Sequence, residues 1–371
     1  MKAICNDNYK ISETDQIYTP QIVFYPEIIN YNTDLVIKEC GGTERIWAHV
    51  KTFKCAEVLD ILMKKGIRRF KCATIGETEM CAMRKAPVIL TAYPLVGPNI
   101  ERFVKLITTY PESEFWAIGD NEASVRALGE CAVKNGTSIK LLLDINIGMD
   151  RTGVSFQDAL SLYKKFSEIP GIVMAGIHCF SGNFKITDTA KRQEAVDATI
   201  DSIIELKKSI TDSGLHAEAV VLSGTPVMRC YSKIPEAFIC PGTAYISDMQ
   251  YYQTFPDFDF LPAAAILTRV ISTPKPGIFT LDLGYKAIAA DPKGVRGTIL
   301  GYEDATVMFQ CEEHWTWRTE KPNPPQVGDL LYVIPTHVCP SLTCYPTCLI
   351  AEHGEVTGEW EVTARNRKIT I

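Results

Sequence analysis

Six short stretches carry residues able to act together: "HVKT" with Lys51, "GMDRTG" with Arg151, "GIHCFSGN" with His178, "LSGTP" with Ser223, Gly224 and Thr225, "CPGTAY" with Gly242, Thr243 and Tyr245, and "IPTHVCPSL" with His337 and Cys339. Lys51 ends the apolar run "IWAHV", a costly place for an ammonium unless something holds it. The Ser-Gly-Thr-Pro and Pro-Gly-Thr turns are of the kind that present backbone N–H groups to a phosphate. A lysine amine and a phosphate cradle sharing one mouth suggest pyridoxal 5'-phosphate held as a Schiff base. Each residue also has an ordinary reading. Lys51 would be a surface lysine at a strand end, Arg151 the salt-bridge partner of Asp144 or Asp150, and His178 a satisfied core histidine.

His337 and Cys339 alternate, so on an extended chain both side chains leave one side and would share a divalent ion. Two protein ligands leave positions open for water or substrate, the arrangement of a catalytic site. Cys344 and Cys348 continue a C-x4-C-x3-C series that would instead form a structural site.

These residues need a frame that delivers them to one place. From Trp47 on, apolar runs alternate with helical patterns: "WAHV", "FKCATI", "VILTAY", "EFWAIG", "IKLLLDIN", "IVMAGIHC", "AVVLSG" and "AFICPG". The segments between most of them, such as "CAEVLDILMKKG" and "NEASVRALGECAVKNG", repeat apolar residues at three- and four-residue spacing, and Gly66, Gly136 and Gly214 close helices. The exception is "TPVMRCYSKIPE", a poor helix. Strands and helices in this rhythm fit an α/β fold, a (β/α)8 TIM barrel, with an open doubly wound sheet as the alternative. In a barrel, the stretches at the strands' C-terminal ends form one mouth. "QIVFYPEIINYNTDLVIKECGG" adds a strand and a helix before the first barrel strand. After Tyr245 the runs turn short, β-branched and rich in Pro, Gly and Asp, which predicts an all-β domain with no convincing helix. The expected domains are 19–248 for the barrel and 249–371, with 1–18, for the β domain carrying the metal ligands.

The 371 residues have room for two domains, and a formal net charge of −6 without a basic run argues against nucleic acid as a partner. No apolar window reaches membrane-spanning length. The N-terminal "MKAICNDNYKISETDQ" lacks a signal-peptide core, so the expected location is cytoplasmic, with most of the thirteen cysteines reduced.

"HVKTFKC", "INIGMDRTG", "GIHCFSGN", "SGTP", "PGTAYISDMQYY", "LTRVISTP", "LDLGYKAIAAD", "IPTHVCPSL" and "ARNRKITI" follow one another as in the D-threonine aldolase and D-serine dehydratase family. That family is a branch of the alanine-racemase-type, fold type III, pyridoxal phosphate enzymes, and the resemblance runs from Thr19 to Ile371. It implies a cofactor-binding barrel, a C-terminal β domain, a homodimer, and a divalent metal beside the cofactor. Lys51 then matches the Schiff-base lysine and Arg151 the arginine near the cofactor's 3'-oxygen. His178 stands where a residue contacts the ring. Ser223, Gly224, Thr225, Gly242 and Thr243 match the phosphate turns, Tyr245 lies beside the second turn, and His337 with Cys339 matches the metal pair.

Two departures bear on the reaction. The family commonly reads His-Val-Lys-Thr-His, and Phe53 replaces the last histidine, a candidate base for aldol cleavage. Trp47-Ala48 replaces the usual arginine-proline before His49. The metal pair, moreover, is His-x-Cys where some aldolases carry His-x-Asp, and a thiolate favours zinc over manganese or magnesium. The expected substrate is a small D-3-hydroxy amino acid. It is cleaved to glycine and an aldehyde, with His49 or metal-bound hydroxide taking the hydroxyl proton. The alternatives are dehydration to a keto acid and ammonia, which needs only Lys51 and the metal, and racemisation.

Overall fold

Eight of the predicted apolar runs become strands, separated by helices, four of which have their first turns closed by side chains. Thr74, Asn121, Ser155 and Asp188 each accept a backbone N–H at a helix start. Gly66, Gly136 and Gly214 take positive φ, +92°, +66° and +79°, the left-handed turn that ends a helix. The computed structural model describes residue 4 and residues 6–371; residues 1–3 and 5, expected with the β domain, lie outside the described residues.

In chain order the elements begin with β1 (Gln21–Phe24) and α1 (Pro26–Cys40). There follow β2 (Trp47–His49), α2 (Ala56–Lys64), β3 (Arg69–Cys72), α3 (Ile75–Met83), β4 (Val88–Thr91), α4 (Pro98–Thr109), β5 (Glu114–Gly119), α5 (Glu122–Lys134), β6 (Ile139–Ile145), α6 (Phe156–Ser167), β7 (Ile172–Phe180), α7 (Thr189–Asp212), β8 (Ala219–Ser223), α8 (Met228–Ser232) and β9 (Ala237–Cys240). Strands β2 to β9 form one eight-stranded parallel sheet in sequence order. It curls until an isolated parallel bridge, Ile46 to Ile239, and a 2.9 Å bond from the His49 N–H to the Pro241 carbonyl join its ends. This is the (β/α)8 barrel rather than the open sheet. Trp47, Leu90, Trp116, Leu142, Ala175 and Val221 are among the residues packing one buried cluster of its core. The segment that reads as a poor helix is a single 3-10 turn, Thr225–Val227, running into the five-residue α8.

One irregularity positions the chemistry. Between β6 and β7 the register slips by a residue, from Leu141 opposite Met174 to Leu142 opposite Gly176. This bulge brings His178, rather than Ile177, opposite Asp144. Only glycine fits the bend, because a Cβ on Gly176 would lie 1.9 Å from the Ala219 carbonyl oxygen and its φ is +143°.

Among the described residues, the second unit holds a nine-stranded sheet, the first part of α1 and three short helices. Its elements are α9 (Thr243–Ile246), α10 (Met249–Thr254), β10 (Ala264–Lys275), β11 (Ile278–Leu281), β12 (Gly297–Ile299), β13 (Thr306–Gln310), β14 (Trp315–Arg318), β15 (Leu330–Pro335), α11 (Val338–Leu342), β16 (Thr347–Glu352) and β17 (Glu355–Glu361). The sheet runs β13-β14-β11-β10-β1-β16-β17, with β15 and β12 branching from β10. Strand β1 sits inside it, antiparallel to β10 and parallel to β16. The compact units divide after Leu35 and Gly242, so residues 19–35 and 243–248, expected with the barrel, group with the sheet. The six residues from Asn366 group with the barrel instead. There the Thr370 and Ile371 N–H groups donate to Glu79 Oε1 at 2.8 and 3.2 Å. No helix among the described residues is long and apolar enough to cross a membrane.

Candidate active site

Lys51 follows β2 in a 3-10 turn, Val50–Thr52, which swings the chain outward before α2 begins. Its side chain is half-buried, with Nζ 5.8 Å from the centroid of the Phe180 ring. Among the described residues no carboxylate pairs with it. Two further cations face the same ring: Arg151, its guanidinium carbon 4.2 Å away, and Lys71, its Nζ 5.7 Å away. Arg151 therefore packs on an aromatic face instead of bridging to Asp144 or Asp150. Asp144, Met149, Arg151, Thr152 and Phe180 line a small recess beside it.

Lys71 was not expected here. It stands on β3 in register with His49, is 2% exposed, and donates to His178 Nε2 at 2.7 Å and to the Ser223 hydroxyl. His178 donates its Nδ1–H to Asp144 at 2.6 Å, and Asp144 also accepts from the Thr152 hydroxyl at 2.8 Å. The chain Asp144–His178–Lys71–Ser223 thus crosses the barrel from β6 to β8. His178 is satisfied at both ring nitrogens, the ordinary reading of a core histidine. Burial, then the charge of Lys71, pushes its pKa down against the pull of Asp144, so the ring is neutral near pH 7. His49 is held further down by burial and by Lys71 and Lys51. Its Nδ1–H donates to the Lys71 carbonyl at 2.9 Å, which leaves Nε2 as the unprotonated nitrogen.

Ser223 ends β8, and Gly224 with Thr225 turns the chain into the 3-10 segment. The Thr225 hydroxyl accepts from the Gly242 N–H at 3.2 Å, so the two small-residue turns are tied together. A Cβ on Gly242 would come 3.1 Å from His49 Cβ, so glycine keeps this turn open beside β2. A lysine lacking a carboxylate and a cradle of small residues fit pyridoxal phosphate: Lys51 would anchor it, and Ser223, Gly224, Thr225 and Gly242 would hold its phosphate.

The remaining expected residues gather in the other unit. Thr243 and Tyr245 are buried in α9, and the Thr243 hydroxyl lies 3.9 Å from Cys339 Sγ. His337 is the residue before α11, and Cys339 lies in that helix's first turn, so the pair is not on an extended chain. Pro340 explains the difference, since proline is tolerated in a helix's first turn. The two side chains still meet. Burial works to lower the His337 pKa, but its hydrogen bonds to Cys339 and Asp291 and the charges of Cys339 and Asp248 prevail and hold it near 8. Its Nδ1 is 3.1 Å from Asp291. Asp248, pushed up to about 6 by burial, accepts the Val338 N–H at 3.1 Å and so fixes the start of α11. Cys344 and Cys348 do not join them: Cys344 is exposed with Sγ on the Pro340 carbonyl, while buried Cys348 bonds the Trp360 carbonyl. Among the described residues no three His, Cys, Asp or Glu side chains gather as a metal site.

Residues 27–245 match the model of the alanine racemase N-terminal domain. The chain belongs to that family. Residues 263–351 match the model of a putative serine dehydratase domain. The chain is 24% identical over 331 residues to a D-threonine aldolase of Arthrobacter sp., covering 85% of this chain and 84% of that one. It is 25% identical over 308 residues to a 3-hydroxy-D-aspartate aldolase of Paracoccus denitrificans, covering 80% and 78%. The crystal structure of D-threonine aldolase from Filomicrobium marinum superposes with a TM-score of 0.87 at 21% identity, over 96% of this chain and 98% of that one, a likeness of fold.

Proposed function

We propose that the protein is a pyridoxal 5'-phosphate-dependent lyase of D-3-hydroxy amino acids, cleaving them to glycine and an aldehyde. Lys51 carries this reading: a half-buried ammonium at a barrel mouth, facing a ring rather than a carboxylate. The family match and the aldolase relatives support it. Bound there, the cofactor supplies an electron sink for the bond broken at the substrate's α-carbon.

The chain's own residues do the rest. Lys51 Nζ holds the cofactor and, once released, is the amine that takes or returns a proton at the α-carbon. Ser223 and the Gly224, Thr225 and Gly242 turns bind the phosphate; Thr243 and Tyr245 are assigned beside them on the resemblance. Arg151 offers a cation toward the cofactor's 3'-oxygen. His178, fixed by Asp144 and Lys71, offers an uncharged ring for contact and no free nitrogen for proton transfer. His49, neutral at Nε2, is the acceptor we assign to the substrate's hydroxyl proton, since Phe53 cannot take it.

We place a divalent ion at His337 and Cys339, where thiol and imidazole together favour zinc. The pair provides two donors, matching a site whose other positions go to water or substrate. The working form is taken as a cytoplasmic homodimer, on the resemblance.

The serine dehydratase match and buried Phe53 favour dehydration as the second reading. Incubation with D-threonine and D-serine decides. Glycine with acetaldehyde supports cleavage, keto acid with ammonia supports dehydration, and neither product from either substrate rejects a lyase.

A further inference from the structure

Lys71 is a buried cation that the reaction above does not use for chemistry. Two of its three N–H donors go to neutral acceptors, His178 Nε2 and the Ser223 hydroxyl, and among the described residues no carboxylate touches it. The charged and titratable groups that face it are Lys51 and His49 from the β2 side, Asp144 and Arg151 from β6 and its following turn, His178 from β7 and Cys240 from β9. Asp144 is the carboxylate of that set, and it is committed to His178 and Thr152. Three cations against one engaged carboxylate leave the mouth positive. A desolvated ammonium without a counter-ion costs several kcal/mol, and a bound anion removes that cost.

We propose that Lys71 is the cation of a buried oxyanion site formed with Ser223, and that the oxyanion is the cofactor's phosphate. This deepens the pyridoxal phosphate reading and rests on it. Ser223 decides between phosphate and a substrate carboxylate, because it begins the small-residue turn, with Gly224 at its apex, that suits a phosphate. Lys71 is a positioning residue here: it draws the phosphate to the turn and keeps His178 turned to Asp144. Burial, with Lys51 and Arg151 pushing the same way against Cys240 and Asp144, lowers its pKa to about 8. Anion affinity should therefore hold below that pH and fade above it.

The test uses the full chain freed of cofactor, with inorganic phosphate as probe in a calorimeter. Phosphate should bind at pH 7, more weakly at pH 9.5, and more than tenfold more weakly in Lys71→Met, while Lys71→Arg keeps most of the affinity. Undiminished phosphate binding in Lys71→Met, or no pH dependence in the unaltered protein, overturns the proposal. A second measurement compares pyridoxal phosphate with pyridoxal, read by the visible band at Lys51. Lys71→Met should weaken the phosphorylated form more than tenfold and pyridoxal far less. Equal loss for both would place Lys71 against the ring and overturn the phosphate assignment. If the unaltered protein never develops the band, the Lys51 reading falls, and the phosphate isotherm still judges Lys71.

Discussion

His178 and Asp144 face each other across β7 and β6 because Ala175 is an extra residue in the ladder, and their bond of 2.6 Å depends on that bulge. Gly176→Ala should therefore be severe. The new methyl meets the Ala219 carbonyl at 1.9 Å, and the left-handed φ adds strain. A loss of about 4 kcal/mol or more is expected, in the range reserved for named steric faults. Urea unfolding measures it, and a loss under about 1 kcal/mol would mean that the bulge relaxes freely.

Acid should destabilise the fold through two buried histidines, offset in part by Asp248, whose raised pKa lets the folded chain take up a proton near pH 6. His49 and His178 are held neutral, with pKa values below the ordinary ~6.5, so in the acid range the unfolded chain binds protons that the folded chain refuses. Stability is present above pH ~6.5 and falls below it by roughly 1.4 kcal/mol per pH unit for each histidine. Asp144, whose pKa is lowered because His178 and Thr152 outweigh its burial, adds a further loss below about pH 4. Denaturation midpoints at pH 7.5 and 5.5 test this, with His49→Gln flattening the slope. A flat profile would show that both rings titrate normally.

Lys51→Ala should remove the visible absorption of the protein loaded with pyridoxal phosphate and abolish turnover. A band that survives moves the anchor to another amine, and Lys71 is the first to examine.

His337→Ala and Cys339→Ala should each lose most activity while keeping the Lys51 band. Chelation should reproduce the loss, and added zinc should restore the unaltered protein but neither variant. Full rates in both variants would remove the metal from the reading. Turnover unchanged by a chelator would favour racemisation.

The barrel was legible because most of its eight strands are apolar runs beside amphipathic helices, a pattern local enough to read. Strand β1 was not. "QIVF" is apolar enough for either sheet, and its partners, Ala264 to Leu267, are remote in the chain. The short helix around Cys339 hid behind Pro340, which reads as a breaker although a first turn accepts it. Lys51 stood out as a charge closing an apolar run. Lys71 in "FKCATI" and Asp144 in "LLLDIN" gave the same signal of a charge within a buried run. Their meaning lay in partners 107 and 34 residues away, which periodicity cannot supply.

The barrel's seam sets an order of events. Its two edges, near Ile46 and Ile239, must find each other across most of the chain between them, and so long a closure comes late in folding. Lys51 follows one edge and Gly242 the other. A half-rolled sheet would possess the reactive amine without its cradle, so capture of the vitamin should mark completion of the cylinder, and free vitamin in the refolding mixture should trap the last-formed edge rather than hasten the first.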